Sequence, residues 1–233
     1  MALPQITVPQ FDILIPSKDK KFSFRSFLVK EEKILLMAAE SDDQNDVVKA
    51  CRQIVNNCCL DDLDVDTLAT FDLDYVFIKL RSKSVNNICK MAFRDNEDEK
   101  VYDFEVDLES IELQKDPTHT NKINITDDIV MVMKYPTVDI ADGLDENTTR
   151  SSLLDKLVLT SIDKIYDKET VYEDYTPQEL SDFLDNLSTP VYDKIRTFFD
   201  TMPRVYHKVT YTNKLNHVRE IELTTLQDFF NWG

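Results

Sequence analysis

Glycine is almost missing: among 233 residues it occurs only at Gly143 and at the final Gly233. Phosphate-cradling loops, nucleophile elbows and dinucleotide fingerprints need glycine where backbone approaches a ligand or takes a positive φ. None can be written on this chain, which removes the common nucleotide-binding enzymes. Histidine is scarce as well. His119, His207 and His217 include no i, i+4 pair and no HExxH, so they lack the spacing of a zinc hydrolase. His207 and His217 could face each other across a hairpin, but two ligands fall short of a zinc site. The chain is read as binding no metal and no cofactor. The four cysteines, Cys51, Cys58, Cys59 and Cys89, contain no CxxC. Three fall in one expected helix among valines and isoleucines, which points to buried reduced thiols and not to a disulfide framework or an activated nucleophile.

Apolar runs are short. No stretch reaches the length that crosses a bilayer, and Met1 to Lys20 has no basic segment leading into an apolar core, so no secretion signal is expected. Acid is plentiful: 44 acidic against 27 basic side chains give a net charge of −17. Such a surface repels phosphate backbones and anionic lipid, so no nucleic acid and no membrane is expected as partner. With 42% hydrophobic and 10% aromatic residues, the chain has enough for a packed core in one large domain or two small ones. Carboxylates cluster at Asp61-Asp62, Asp64, Asp66, Asp72, Asp74 and Asp127-Asp128. Most should cap helices or solvate the surface. Asp61 to Asp66 lacks the central glycine and terminal glutamate of a calcium loop, and no pair stands out as a glycosidase couple.

Periodicity divides the chain. Phe11, Ile13 and Ile15, a polar turn at Ser17–Lys20, then Phe22 and Phe24 read as a hairpin. A helix is expected over Lys30–Glu40 with Ile34, Leu35 and Met37 inward, a second over Asp46–Cys59, and a third from about Thr67 to Lys83. From Ile88 to Met133 the period becomes two, as in a small antiparallel meander. Pro136 ends it. A helix starting near Ser151 should carry Leu153, Leu157, Ile162, Ile165 and Tyr166 on one face. Thr176-Pro177-Gln178-Glu179 spells a capping box with proline at the first helical position, and Thr189-Pro190 opens a further helix. Val205–Tyr211 and Val218–Leu223 form a last hairpin, followed by a short aromatic helix, Leu226 to Trp232. The expected class is α+β: residues 1–140 as hairpin, helices and meander, 141–150 as linker, and 151–233 as a mainly helical domain with a terminal hairpin. Candidate protein contacts are Arg25, Phe27 and Lys30 at the hairpin-to-helix turn, Arg81 and Lys83 at a helix end, and the terminal aromatics Phe229, Phe230 and Trp232, since aromatic and arginine side chains dominate interface energetics.

Four phrases carry a family resemblance: FSFRSFLVKEEKILLMAAES after Met1-Ala2-Leu3-Pro4, then DVDTLATFDLDYVFIKLRSKSV, THTNKINITDDIVMVMKYPT, and FFDTMPRVYHKVTYTNKLNHVREIELTTLQDFF. In this order they resemble the baseplate hub subunits and hub-assembly proteins of T-even-like tailed bacteriophages, including those of cyanobacteria. The resemblance implies a role in virion assembly without catalysis, with other baseplate hub or tail proteins as partners, in homo- or hetero-oligomers. It also implies residence in the host cytoplasm during assembly and, where the protein is retained, in the tail baseplate. Some relatives carry a CPxC-like turn in the last hairpin, where this chain reads Tyr211-Thr212-Asn213-Lys214. The competing readings are an acidic adaptor or inhibitor that mimics nucleic acid, motivated by the charge, and a hydrolase built on a carboxylate pair.

Overall fold

The computed structural model describes residues 7–41, 44–141 and 150–229. Met1–Pro4, most of the expected linker (142–149), Phe230 and Trp232 lie outside them. In chain order the elements are β1 (Gln10–Ile15), β2 (Lys20–Arg25), α1 (Val29–Ala39), α2 (Gln44–Cys58), α3 (Thr70–Ser84), β3 (Ile88–Arg94), β4 (Val101–Asp107) and β5 (Glu112–Gln114). They continue with β6 (Lys122–Asn124), β7 (Val130–Met133), α4 (Arg150–Thr160), β8 (Ile162–Tyr166), β9 (Val171–Tyr172), α5 (Pro177–Asp185), α6 (Thr189–Asp200), β10 (Arg204–Thr212), β11 (Val218–Leu223) and α7 (Leu226–Phe229). Two compact units result. The first joins the chain up to Gln114 with the chain from Arg204 onward, and the second is Lys115–Pro203.

The first unit is organised by α3. Phe71, Leu73, Val76, Phe77, Ile78 and Leu80 are all buried, as are Asp72 and Lys79, so this helix is enclosed on most sides, as a central helix is. Elements β1, α2 and β10 pack against it. Hairpin β1–β2 contributes Ile13, Ile15, Phe22 and Phe24, and α2 contributes Cys51, Ile54, Val55 and Cys58. The expected inward face of α1 is only partly correct. Leu35 is buried, but Met37 is 72% exposed and Ala38 takes the inner position.

The second unit has a four-stranded antiparallel sheet in the order β6-β7-β8-β9. Its core joins Ile123, Met131, Met133, Val158, Ile162, Ile165, Leu180, Ile195 and Phe198. The capping box forms as read: Thr176 N donates to Glu179 Oε2 at 2.8 Å, and Glu179 N donates to Thr176 Oγ1 at 3.2 Å. Helix α6 starts with Ser188 as its cap residue, one position before the threonine expected to open it.

Two expectations about class fail. The C-terminal region is not mainly helical, because β8, β9, β10 and β11 run through it. The helix expected to reach Tyr166 ends at Thr160. Ile162 and Ile165, three apart, look helical, yet they lie on a strand whose pairing slips between Val132 and Met133, so that Asp163 is the extra residue. The bulge returns both isoleucines to the core side. Nor is 88–133 one meander. There β3 pairs β4, β5 pairs β10, and β6 and β7 join β8, so residues adjacent in sequence are divided among three sheets.

The scarcity of glycine has a backbone consequence. Asp19, Glu99 and Asn216 take positive φ values of 46°, 56° and 63° in the three hairpin turns of the first unit. Asn and Asp tolerate this region; glutamate does so at a cost of about 1–2 kcal/mol. Glu99 is exposed, with only a 3.9 Å ion pair to Arg94. Glu99→Gly is therefore expected to stabilise the protein by roughly 1 kcal/mol, read as a higher urea midpoint, and Asn216→Gly by less.

Glu31 ties three elements together. Its side chain is fully buried and accepts from Arg25 at 2.9 and 3.2 Å and from Leu28 N at 2.9 Å. Arg25 also donates to Asn57 O at 2.8 Å. Burial pushes the Glu31 carboxyl up, but the Arg25 and Leu28 bonds outweigh it and hold the group below the usual carboxylate range. The linked stability is present at neutral pH and is lost as acid protonates Glu31. Glu31→Gln should cost about 3 kcal/mol at pH 7, the usual penalty for breaking a buried pair. The deficit, measured by urea unfolding, should shrink as pH falls through the carboxylate range.

Candidate interaction surfaces

In the first unit the turns of hairpins β3–β4 and β10–β11 meet. Asp95 is fully buried. It accepts from Tyr211 Oη at 2.6 Å and from Glu97 N at 2.7 Å, with Arg219 Nε at 3.4 Å. Glu97 accepts from Asn213 Nδ2 at 2.7 Å and lies 2.7 Å from His217 Nδ1. Asp98 accepts from Lys214 N at 3.0 Å and from Tyr102 Oη at 2.5 Å. The Tyr211 ring packs against Tyr102, Phe104 and Phe93 at 4.8, 5.3 and 6.5 Å between centroids. The turn Tyr211–Lys214 is thus held by three carboxylates and an aromatic cluster. Burial and the bond to Asp95 push Tyr211 up to about 12. The Tyr211 bond leads the groups that hold Asp95 below its ordinary value.

Arg25 and Phe27 are drawn inward. The guanidinium serves Glu31, and the Phe27 ring packs 6.0 Å from Phe77. Lys30 is exposed, 3.6 Å from Glu31, on the side of α1 that also carries exposed Val29, Leu36 and Met37. Arg81 is half-buried, close enough to Cys51 and Cys89 to act on both thiols. Lys83 is exposed, 3.8 Å from Glu109 and 5.8 Å over the Phe11 ring. Phe229 is fully buried, and its carbonyl accepts from Cys89 Sγ at 3.2 Å, which fixes α7 to β3. No local pattern announces the carboxylate cluster at 95–98, because its partners lie in a distant hairpin.

The other groups singled out in the sequence have structural surroundings. His207 pairs with Leu223, and His217 lies in the turn, so the two do not face each other. His119 contacts Thr201 Oγ1 at 2.9 Å and Tyr135 Oη at 3.2 Å. The cysteines are free, and burial pushes Cys58 up to about 11. Asp61 accepts from Ser23 N at 2.6 Å, Asp64 caps a 3-10 turn at 65–67, and Asp66 pairs with Arg52 at 2.5 Å. Asp72 accepts two bonds from Ser17, and burial pushes Asp74 up to about 7. Among the described residues no three metal-ligating side chains converge, and no helix is long and apolar enough to cross a membrane.

Asp95→Asn and Tyr211→Phe should each lower the thermal midpoint, and the double variant should lose less than the sum, since both remove one charge-assisted bond. Because Asp95 and Asp98 sit low, that contribution is complete at neutral pH and fades in acid. Hydrogen exchange of the β10–β11 amides against pH would register its loss.

Comparison with known proteins adds what geometry alone does not. Neither a curated protein nor a solved structure matches the chain. The model of one family, described as T4 bacteriophage base plate protein, matches residues 8–231 and so runs through both units. With nearly its whole length accounted for in this way, the chain belongs to the T4 bacteriophage base plate protein family.

Proposed function

We propose that the protein works at the hub of the baseplate, as a hub component or as a chaperone of hub assembly, by binding other hub or tail proteins and without chemistry of its own. A baseplate-related structural or assembly role follows from the family, and that match over residues 8–231 is the observation that carries the reading. The disposition of the polar side chains agrees with it. Asp61, Asp64, Asp107, Asp116, Asp167 and Asp228 all accept backbone N–H groups, so their chemistry is spent on turns and caps. A nucleic-acid mimic would instead hold its acids in a regular exposed array, which this scatter opposes.

Affinity purification from infected cells, comparing early assembly intermediates with finished virions, tests the proposal. A hub component is expected in both, a chaperone in the intermediates alone, and absence from both would overturn the reading. Lys83→Glu should reduce recovery of the partner while leaving the thermal midpoint within about 1 °C, since its exposed ion pair with Glu109 contributes little.

A further inference from the structure

Several surfaces of the molecule are apolar and open, but one has both shape and charge. In the second unit a groove of about 330 Å³ runs between β8–β9 and α5. Its walls are Ile129, Ile165, Tyr172, Tyr175, Leu180 and Phe183. Among the described residues the charged lining groups are Asp167 and Glu179, and neither seeks a ligand. Asp167 holds the Thr170 turn and the Tyr172 hydroxyl, and Glu179 closes the capping box at Thr176. The bond from Glu169 N, with those from Tyr172 and Thr170, holds Asp167 below its ordinary value, and the bonds from Thr176 do the same for Glu179, so both stay ionised. Glu169, Glu173, Asp174 and Asp182 are exposed and neighbour the lining residues Asp167, Tyr172, Tyr175 and Phe183 in sequence. The nearby Lys168 is paired to Asp128. One lip is β9, a two-residue edge strand that pairs only with β8 and leaves Val171 and Tyr172 55% and 47% exposed.

We infer that this groove is a docking site for an extended segment of a partner protein that carries one bulky apolar or aromatic side chain flanked by lysine or arginine. The inference rests on the baseplate reading and names the partner's chemistry. The volume lies at the lower end of the range for built pockets, about 300–1,000 Å³, which suits a side-chain anchor better than an extended ligand. An acidic rim around an apolar floor selects a basic flank, because an acidic one would meet like charge. The open edge of β9 offers backbone groups to a segment lying alongside, while the anchor fills the floor between Ile165 and Phe183.

Fluorescence anisotropy with the full chain and a labelled Lys-Lys-Trp-Lys-Lys peptide tests the site. Saturable binding is expected, falling at least tenfold when tryptophan is replaced by glycine and when the lysines are replaced by glutamates. Tyr172→Ser, at the exposed lip, and Glu173→Lys with Asp174→Lys, at the rim, should each weaken binding at least fivefold in proteins with unchanged circular dichroism. No binding to the parent protein, equal binding of the acidic peptide, or unchanged binding by both variants would overturn the proposal. Recovery of baseplate intermediates by the Tyr172→Ser and rim variants at parental levels would also sink the groove while leaving the baseplate role intact. Failure of the parent chain to recover any intermediate would instead strike the baseplate reading, and the peptide titration would still judge the groove.

Discussion

The first unit depends on one long-range closure: Arg204, Val205 and Tyr206 on β10 pair with Gln114, Leu113 and Glu112 on β5. Between those partners the chain leaves to build residues 115–203. Closing a flexible loop of that length costs on the order of 4 kcal/mol in chain entropy. Burial of a large apolar side chain contributes about 1.5–3 kcal/mol, so fully buried Val205 and nearly buried Leu223 suffice against the closure itself. Ordering the strands costs more, and the bonds from Tyr211 to Asp95 and from Cys89 to Phe229 offset part of it. The loop is also not flexible once its own unit has folded. His119 and Thr201 are in contact, which brings the two ends of that unit together and leaves much less entropy for β10 to lose.

Against that requirement the carboxylates look different from their bare number. A net charge of −17 should resist compaction by self-repulsion. The structure spends many of these groups locally. Glu179 closes a capping box, Glu31 accepts the N–H of the cap residue Leu28, Asp72 fastens the β1–β2 turn to α3, and Asp95, Glu97 and Asp98 hold the final hairpin turn. Acid also stands in for glycine. Where tight turns need a positive φ, Asp19 and Glu99 supply it, aspartate with a side chain suited to the region and glutamate against its preference.

What was legible in the sequence follows the range of the interaction. The capping box at Thr176, the β1–β2 hairpin and the amphipathic face of α2 are written in a few adjacent residues, and they form as read. The failures are long-range. Nothing near Glu112 announces that it will pair with Tyr206 on β10, far along the chain, and the tip cluster at Asp95 is equally silent because its partners come from that same returning hairpin. Ile162 and Ile165 mislead for a different reason: a bulge lets a strand imitate helical spacing. Met37 misled because a short helix at the edge of a core has room for fewer inward positions than its apolar residues suggest. The outcome left apolar surface on α1 that the fold does not use. Of the contact residues read from sequence, the half-buried Arg25 is legible by type and not by neighbourhood, and Glu31, three positions into the helix, is the available clue.

The two kinds of surface that remain divide the work of recognition by range. At physiological ionic strength the screening length is about 8 Å, so the acidic surface attracts a basic segment only once it is close, and then governs its orientation and the rate of capture. Charges as exposed as Glu173 and Asp174 add little to the lifetime of a complex. Lifetime has to come from apolar area removed from water, which on the second unit means the floor between Ile165 and Phe183. A segment with basic residues but no anchor would arrive and leave. An anchor in an acidic segment would fit but be repelled on approach. Selectivity for a basic-flanked anchor therefore needs no buried ion pair, and the groove presents none: its two carboxylates are already engaged within the fold.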